Sequence, residues 1–394
     1  MPEPSFMPPA VVIGLCAHGL ATVRSLARAG VVVHAIESNT ELPGFRTKRA
    51  RVHQVPGIHG QDLISALLGL AEEFPADTRP VLFPINDKMV ECIARNWSEL
   101  EQFYQLSWAD CRDDVLRLLN KSNLSEHCSE RDLFYPQSSI LESKDGLEQL
   151  LAESCFPLIV KPTRPLGSFK TSLAHNVDDV SAILTQYASD LPLVAQPWID
   201  GDDSQLYFCA LYLDHGRVLA RFDGHKLRSS PRTMGHTTIA ESVANDELFK
   251  VTQKFFAGLN MTGPVSLEIK QDPASRMWII EPTVGRTDYW LPVCIHNGVP
   301  LPYIEYCQVI GRRYQGADQG QAVRWFDTQR DPFCYLSFLI SDGRRLKRQK
   351  AVFPFLDRSD YQPVVRGLWQ TTQRFARSLR NRVTRWTGAS LEPR

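Results

Sequence analysis

The sequence predicts an open α/β unit followed by an α+β unit, and three observations carry that prediction. From Ala10 to Ser38 the chain alternates strand, turn, helix and strand, the βαβ order of a parallel sheet. Beyond about residue 110 the strands group together in the order of an antiparallel sheet. Near residue 270, two apolar strand-like runs flank the turn signal Gln271-Asp272-Pro273-Ala274-Ser275-Arg276, which predicts a hairpin.

In the first unit, Val11-Val12-Ile13-Gly14 reads as a strand, Ala21 to Ala29 as a helix capped by Gly30, and Val31 to Ile36 as the next strand. Gln61 to Glu73 is helical, Pro80 to Pro84 is a buried strand and Lys88 to Glu101 is the helix after it. Asp113 to Asn120 is helical and leads to Lys121. Phe156 to Pro162 and Leu193 to Ile199 are compact strands. Gln205 to Leu213 and Val218 to Asp223 pair around Asp214-His215-Gly216. The boundaries expected are 1–110, 111–310 and a C-terminal extension, 311–394.

Composition narrows the class. With 43% hydrophobic and 22% charged residues the chain is globular rather than disordered. No apolar run approaches the roughly 18 residues of a membrane span. Met1 to Pro9 lacks a basic residue, so the apolar stretch after it does not read as a secretory signal. Nine cysteines without C-x-x-C spacing suit reduced thiols, and a cytoplasmic setting is expected. The formal charge is zero, yet Ser341–Arg394 holds 13 Lys/Arg against 4 Asp/Glu, which suggests an anionic partner for that end. Residues 365–386 form a basic amphipathic helical pattern: Val365, Leu368, Trp369, Thr372, Phe375, Leu379, Val383 and Trp386 recur at helical steps. Such a stripe either docks on its own domain or lies on an anionic membrane.

The predicted hairpin sets Glu268 beside Glu281. Two like charges repel there unless a cation lies between them, and Mg²⁺ takes one or two carboxylates plus substrate phosphates. The plain alternative is two solvated acids on an open strand face. Lys161 ends the apolar strand Leu158-Ile159-Val160, where its ammonium needs a counter-charge such as a phosphate oxygen. Lys121 is a second candidate of that kind. The loop 163–172, with Ser168 and Lys170, can fold over phosphates or be ordinary surface. Gln196, Trp198 and Ile199 offer strand-end backbone groups and flat apolar walls, and Asp203 offers a hydroxyl acceptor, a set that suits a purine nucleoside. The turn Gly14 to Gly19 with Glu37 is a weak dinucleotide signal, because Cys16 stands where that fingerprint needs glycine. Asp87 belongs at the carboxyl edge of the first sheet or serves as a helix cap.

Taken in order, Lys121, Lys161, the 163–172 loop, Gln196 to Asp203, Glu268 and Glu281 resemble the ATP-grasp superfamily of carboxylate–amine ligases. The resemblance covers roughly residues 10 to 310. It implies a pre-ATP-grasp N-terminal domain and then an ATP-grasp domain of two α+β subdomains clasping the nucleotide. By the resemblance, Lys121, Lys161, Ser168 and Lys170 meet the phosphates of ATP, while Gln196, Trp198 and Ile199 hold adenine and Asp203 the ribose. Glu268, Glu281 and Thr283 bind Mg²⁺ or Mn²⁺. One departure stands out: the acid-x-Asn-x-Arg metal motif reads Glu281-Pro282-Thr283-Val284-Gly285-Arg286, so Thr283 replaces the amide and the arginine comes one place late.

The implied chemistry is amide formation through an acyl phosphate, with Arg286 gripping the transferred phosphoryl and Asp288 near the amine. Lys226 and Arg228, in the donor-rich stretch Asp223 to Arg228, would receive an acidic substrate, as would Gly235 to Thr238. The expected partners are a small carboxylate and a small amine, not nucleic acid, with a homodimer and a membrane contact through 365–386 as further expectations. Cell-surface polysaccharide or peptide tailoring is the setting implied. The alternatives are a non-catalytic nucleotide-binding descendant, suggested by Thr283, and a nicotinamide oxidoreductase built on Gly14 to Gly19.

Overall fold

A computed structural model describes residues 7–373 apart from 153, 165, 166, 233, 315–318, 321, 347–349 and 371. The first unit is a four-stranded parallel sheet of β1 (Ala10–Ile13), β2 (Val33–Glu37), β3 (Arg51–Gln54) and β4 (Val81–Pro84), in the order β3-β2-β1-β4. Strands β1, β2 and β4 are buried throughout. The helix Ala17–Arg28 makes the long crossover between the parallel neighbours β1 and β2, and Gly60–Ala71 carries the chain from the edge strand β3 to the opposite edge, β4. Strand β3 is the exposed edge, with Arg51 and Gln54 pointing to water. Without an apolar run it gives no sequence signal.

The second sheet holds β5 (Ser139–Leu141), β6 (Leu158–Pro162), β7 (Ser172–Ala174) and β8 (Leu193–Pro197) in the antiparallel order β5-β8-β6-β7. Helix Val177–Gln186 buries Val180, Ile183 and Leu184 in this sheet's own core. Loop 163–171 is therefore the connection within the β6–β7 hairpin.

The third sheet has seven strands: β9 (Leu206–Asp214), β10 (Arg217–Ser230), β11 (His236–Ser242), β12 (Gly263–Gln271), β13 (Met277–Val284), β14 (Val323–Phe326) and β15 (Lys350–Val352). Their order is β13-β12-β9-β10-β11-β14-β15, antiparallel except for the last pair. The β9–β10 turn holds His215 at φ 50° and Gly216 at φ 79°, the doubly left-handed turn that matches strand twist. Residues beyond 311 thus complete this sheet at its β14–β15 edge.

After β15 the chain returns to the first unit. Arg24 donates from Nε to Asp360 Oδ2 (2.9 Å) and from its other nitrogens to the carbonyls of Pro354, Phe355 and Asp360. Asp360 also accepts from Thr47 Oγ1 (2.7 Å) and the Lys48 amide (3.0 Å). A helix over 362–370 follows. Val364 packs with Ala17, Leu20 and Phe355, and Arg366 pairs with Glu41. Val365, Leu368 and Trp369 face outward, so the described part of the predicted stripe does not dock on its own domain. Phe375, Leu379, Val383 and Trp386 lie outside the described residues.

Candidate active site

One cleft of about 630 Å³ lies where the three sheets meet, a size suited to a nucleotide with a small substrate. Its floor is the β12–β13 hairpin. The register pairs Glu268 directly with Glu281 and Ser266 with Thr283, so two carboxylates of adjacent strands share one face. The turn is closed from inside: Asp272 Oδ1 accepts from the Ala274 and Arg276 amides, both at 2.9 Å.

Cations surround these acids. Lys121 lies 3.5 Å from Glu281, and its amide donates to Thr163 O (3.1 Å), which ties it to the end of β6. Lys161 is buried on the cleft wall, with Lys170 nearby donating to Gly235 O (3.3 Å). Burial opposes the charged form of every group here. It lowers Lys161 to about 8, helped by Lys121 and opposed by Glu281 and Glu268. It raises Glu268, against Lys226 and with Glu281 adding to the rise. At Glu281 burial also pushes upward, but Lys121, Lys161, Lys170 and Arg286 outweigh it and hold the carboxyl down to about 2. An anionic Glu281 ringed by cations results.

Arg286 leaves β13 through Gly285, whose φ of 71° bends the strand end and whose added Cβ would stand 2.9 Å from Val90 Cγ1. That extra residue aims Arg286 at Asp87, 2.5 Å away, and places Nη1 3.7 Å from Asp288. Asn86, rather than Asp87, caps the helix Asp87–Arg95, accepting from the Met89 amide (2.9 Å). Burial lowers the Arg286 guanidinium, but Asp87 and Asp288 more than restore it, so the net shift is upward. Asp288 Oδ2 accepts from Thr283 Oγ1 (2.8 Å) and Ser266 Oγ (3.3 Å), so Thr283 spends its proton locally. Among the described residues no group of three or more His, Cys, Asp or Glu is set to hold a metal. The pair Glu268 and Glu281, with oxygens facing an open cleft, fits an ion that takes its remaining ligands from phosphates and water.

The opposite wall comes from β8 and its exit. Gln196 donates to Ser138 Oγ (2.7 Å). Lys270 stands 4.3 Å over the Trp198 ring and donates to Ile199 O (2.6 Å) and Gly201 O (2.7 Å). An apolar slot floored by charge-fixed backbone is thereby formed, and Lys270 is a member that no motif in the sequence singles out.

Four expectations meet a different geometry. Ser168 lines the cleft, but its amide donates to Asp190 Oδ1 (2.9 Å) and its hydroxyl to Oδ2, so both donors are already engaged. Asp203 is buried behind Lys226, 3.2 Å from its ammonium, and accepts from the Ser229 amide (2.8 Å) and hydroxyl (2.6 Å). Lys226 does reach the cleft. Arg228 does not: set between the two register shifts of β10, it donates to Ser337 Oγ on the helix Cys334–Leu346. Glu37 binds no ribose either. Its Oε2 accepts from the Leu15 amide (2.7 Å) and its Oε1 from the Ser38 and Asn39 amides (both 2.8 Å), so the carboxylate is consumed by its own backbone.

The Gly14 to Gly19 turn still contributes, presenting Cys16 and His18 to the cleft. Burial, then Arg286, pushes His18 down to about 3, leaving a neutral ring 2.7 Å from Thr287 Oγ1. Sequence reasoning also missed Arg330. It follows β14, lies 3.8 Å over the Tyr289 ring and pairs with buried Asp327 at 3.5 Å. Its signal was the one used for Lys161, a cation just past a buried strand.

No protein-family model matches the chain. It is 25% identical over 298 residues to a D-aspartate ligase of Enterococcus faecium (strain Aus0004), covering 69% of each protein. Among solved structures it is similar to the biotin carboxylase domain of Hydrogenobacter thermophilus 2-oxoglutarate carboxylase, in complex with MgADP, ADP and bicarbonate. The TM-score is 0.65 at 13% identity, over 81% of this chain and 74% of that one. It is likewise similar to Staphylococcus aureus N5-carboxyaminoimidazole synthetase (TM-score 0.64, 13% identity, 86% of each chain). An L-amino acid ligase from Bacillus licheniformis gives a TM-score of 0.61 at 13% identity, over 80% of this chain and 79% of that one. At these identities the solved structures establish a shared fold.

Proposed function

We propose that this member of the ATP-grasp superfamily is an ATP-dependent carboxylate–amine ligase that works through an acyl phosphate. The observation that carries the reading is the register pair Glu268–Glu281 inside a ring of cations headed by Lys121 and Lys161. Lys121, Lys161 and Lys170 neutralise the triphosphate of ATP, and the slot of Trp198, Ile199 and Gln196 takes the adenine. Glu268 and Glu281 would hold Mg²⁺ or Mn²⁺, with Thr283 contributing through its lone pairs. A divalent ion there offsets phosphate charge and aligns the γ-phosphoryl group.

A carboxylate oxygen of the acid attacks the γ-phosphorus, the bond to the bridging oxygen breaks, and ADP leaves. Such a transfer needs positioning and charge neutralisation more than covalent help. Arg286, fixed by Asp87 and Asp288, meets the transferred group with fork-like donors. The amine nitrogen then attacks the acyl carbon, phosphate departs and the nitrogen loses a proton. Lys226 is the donor on the β10 side of the cleft available to an acidic substrate.

The relation to a D-aspartate ligase supports an amino acid as one substrate. Peptide or cell-surface polysaccharide tailoring is the setting proposed, at the cytoplasmic face of a membrane. Phosphate release from Mg·ATP over pairs of acids and amines, with Lys161→Ala as the blank, tests the ligase reading. Absence of both release and nucleotide binding would remove it. The bond between Thr283 and Asp288 favours one rival, a nucleotide-binding protein without turnover. Tight ATP binding with turnover appearing only in Thr283→Asn would establish that rival.

A further inference from the structure

Two helices near the C-terminus carry the same surface device. On Cys334–Leu346, Cys334 and Phe338 face the β14 side chain Phe326. That leaves Phe333, Leu336, Leu339 and Ile340 exposed by 59, 56, 38 and 89%. Steps of three and four residues put them along one face. From the last turn of this helix onward the sequence carries Arg344, Arg345, Lys347, Arg348 and Lys350, five cations in seven residues without an acid. On the helix over 362–370, Val365, Leu368 and Trp369 are exposed by 60, 63 and 48% while Val364 faces inward. The sequence after it, 374–394, carries six arginines and one glutamate.

Single exposed leucines are ordinary, but apolar side chains at helical spacing form patches that mark interaction surfaces. Charge selects the occupant. A second copy of the chain would bring each cation run toward its own like. An anionic lipid surface offers both missing partners at once, hydrocarbon for Phe, Leu, Ile and Trp, and phosphate for Lys and Arg. Trp at the boundary fits that layer. A 13-residue helix is about 20 Å long, so it lies in the surface rather than crossing it. Consistently, no helix among the described residues is long and apolar enough to span a membrane.

We infer that the outer apolar faces of the helices Cys334–Leu346 and 362–370 dock the protein onto an anionic phospholipid membrane. The inference does not depend on the ligase reading. The test is co-sedimentation of the full chain with phosphatidylcholine vesicles, made with and without phosphatidylglycerol, at low and high salt. Binding is expected only with phosphatidylglycerol and should weaken with salt. Leu336→Ser combined with Ile340→Ser should lower partitioning by about tenfold or more, and Arg344→Gln with Arg345→Gln by about fivefold per charge. Val365→Ser with Leu368→Ser gives an independent loss on the second helix. All these apolar positions are exposed, so melting temperatures should stay with the parent protein. Equal binding to uncharged vesicles would overturn the inference, as would binding unmoved by both serine pairs. So would serine variants that convert a dimer to a monomer in light scattering while vesicle binding persists.

Discussion

Lys161 provides the sharpest quantitative prediction. Its ammonium is buried beside Lys121 and titrates at about 8 in the nucleotide-free protein, against an ordinary value of about 10.4. Carrying that charge costs the fold about 3 kcal/mol at neutral pH, at 1.36 kcal/mol per unit. The sign follows from proton counts. Between pH 8 and the unfolded value the unfolded chain binds more protons, so this group's contribution to stability improves as pH rises through that window. Binding runs the other way, because a triphosphate requires the charged form. ATP affinity should be level below about pH 7.5 and weaken roughly tenfold per unit well above pH 8. At pH 8.5, above that value, most of the molecules are neutral at Lys161, so binding should take up a large fraction of a proton. Calorimetry in buffers of different ionisation enthalpy measures that uptake directly. Lys161→Arg, whose charge does not titrate in this range, should flatten the profile and abolish the uptake. Uptake that survives in Lys161→Arg would refute the placement of this ammonium on the phosphates.

Other perturbations have equally definite outcomes. Asp87→Ala leaves the buried Arg286 guanidinium without its nearest partner and should cost about 3 kcal/mol in denaturant unfolding, together with a large fall in kcat. An unchanged kcat would separate Arg286 from the chemistry. Gly285→Ala meets both a φ of 71° and Val90, so a loss of about 1–3 kcal/mol is expected, with the Arg286–Asp87 contact disturbed in the same variant. Asp360→Ala strips Arg24, Thr47 and the Lys48 amide of a shared acceptor and should destabilise by about 3–5 kcal/mol, read from the urea midpoint. Glu37→Ala removes the acceptor of three backbone amides and should lower the melting temperature while leaving ATP affinity intact. A lost ATP affinity there would reinstate the first sheet as a nucleotide site.

What was legible in the sequence was local. Apolar runs gave β1, β4, β6 and β8, and the Asp272-Pro273 turn gave the hairpin register that pairs Glu268 with Glu281. Alternation failed where strands are polar on one side. The start of β11, with His236, Thr237 and Thr238, read only as donors for an acidic substrate, and β3 sits on an edge. The site was half legible for the same reason. Lys161 announces itself because a buried strand ends on it. Asp203 and Ser168 look like ligand groups in sequence, yet Ser229 and Asp190, both more than 20 positions away, take up their hydrogen-bonding capacity. Arg228 fails through register, since the shifts in β10 decide which side chains face the cleft. The Arg24–Asp360 anchor joins residues 336 positions apart, and no window of sequence contains that relation.

The Arg24–Asp360 anchor has a mechanical consequence. The helix Ala17–Arg28 is a 12-residue rod of about 18 Å. One end presents Cys16 and His18 to the reaction chamber, while Arg24 and Arg28 at the other end are bolted to Asp360 and Asp357 of the returning strap. Any load borne by the helix over 362–370 is therefore delivered along a single stiff lever to the mouth of the chamber.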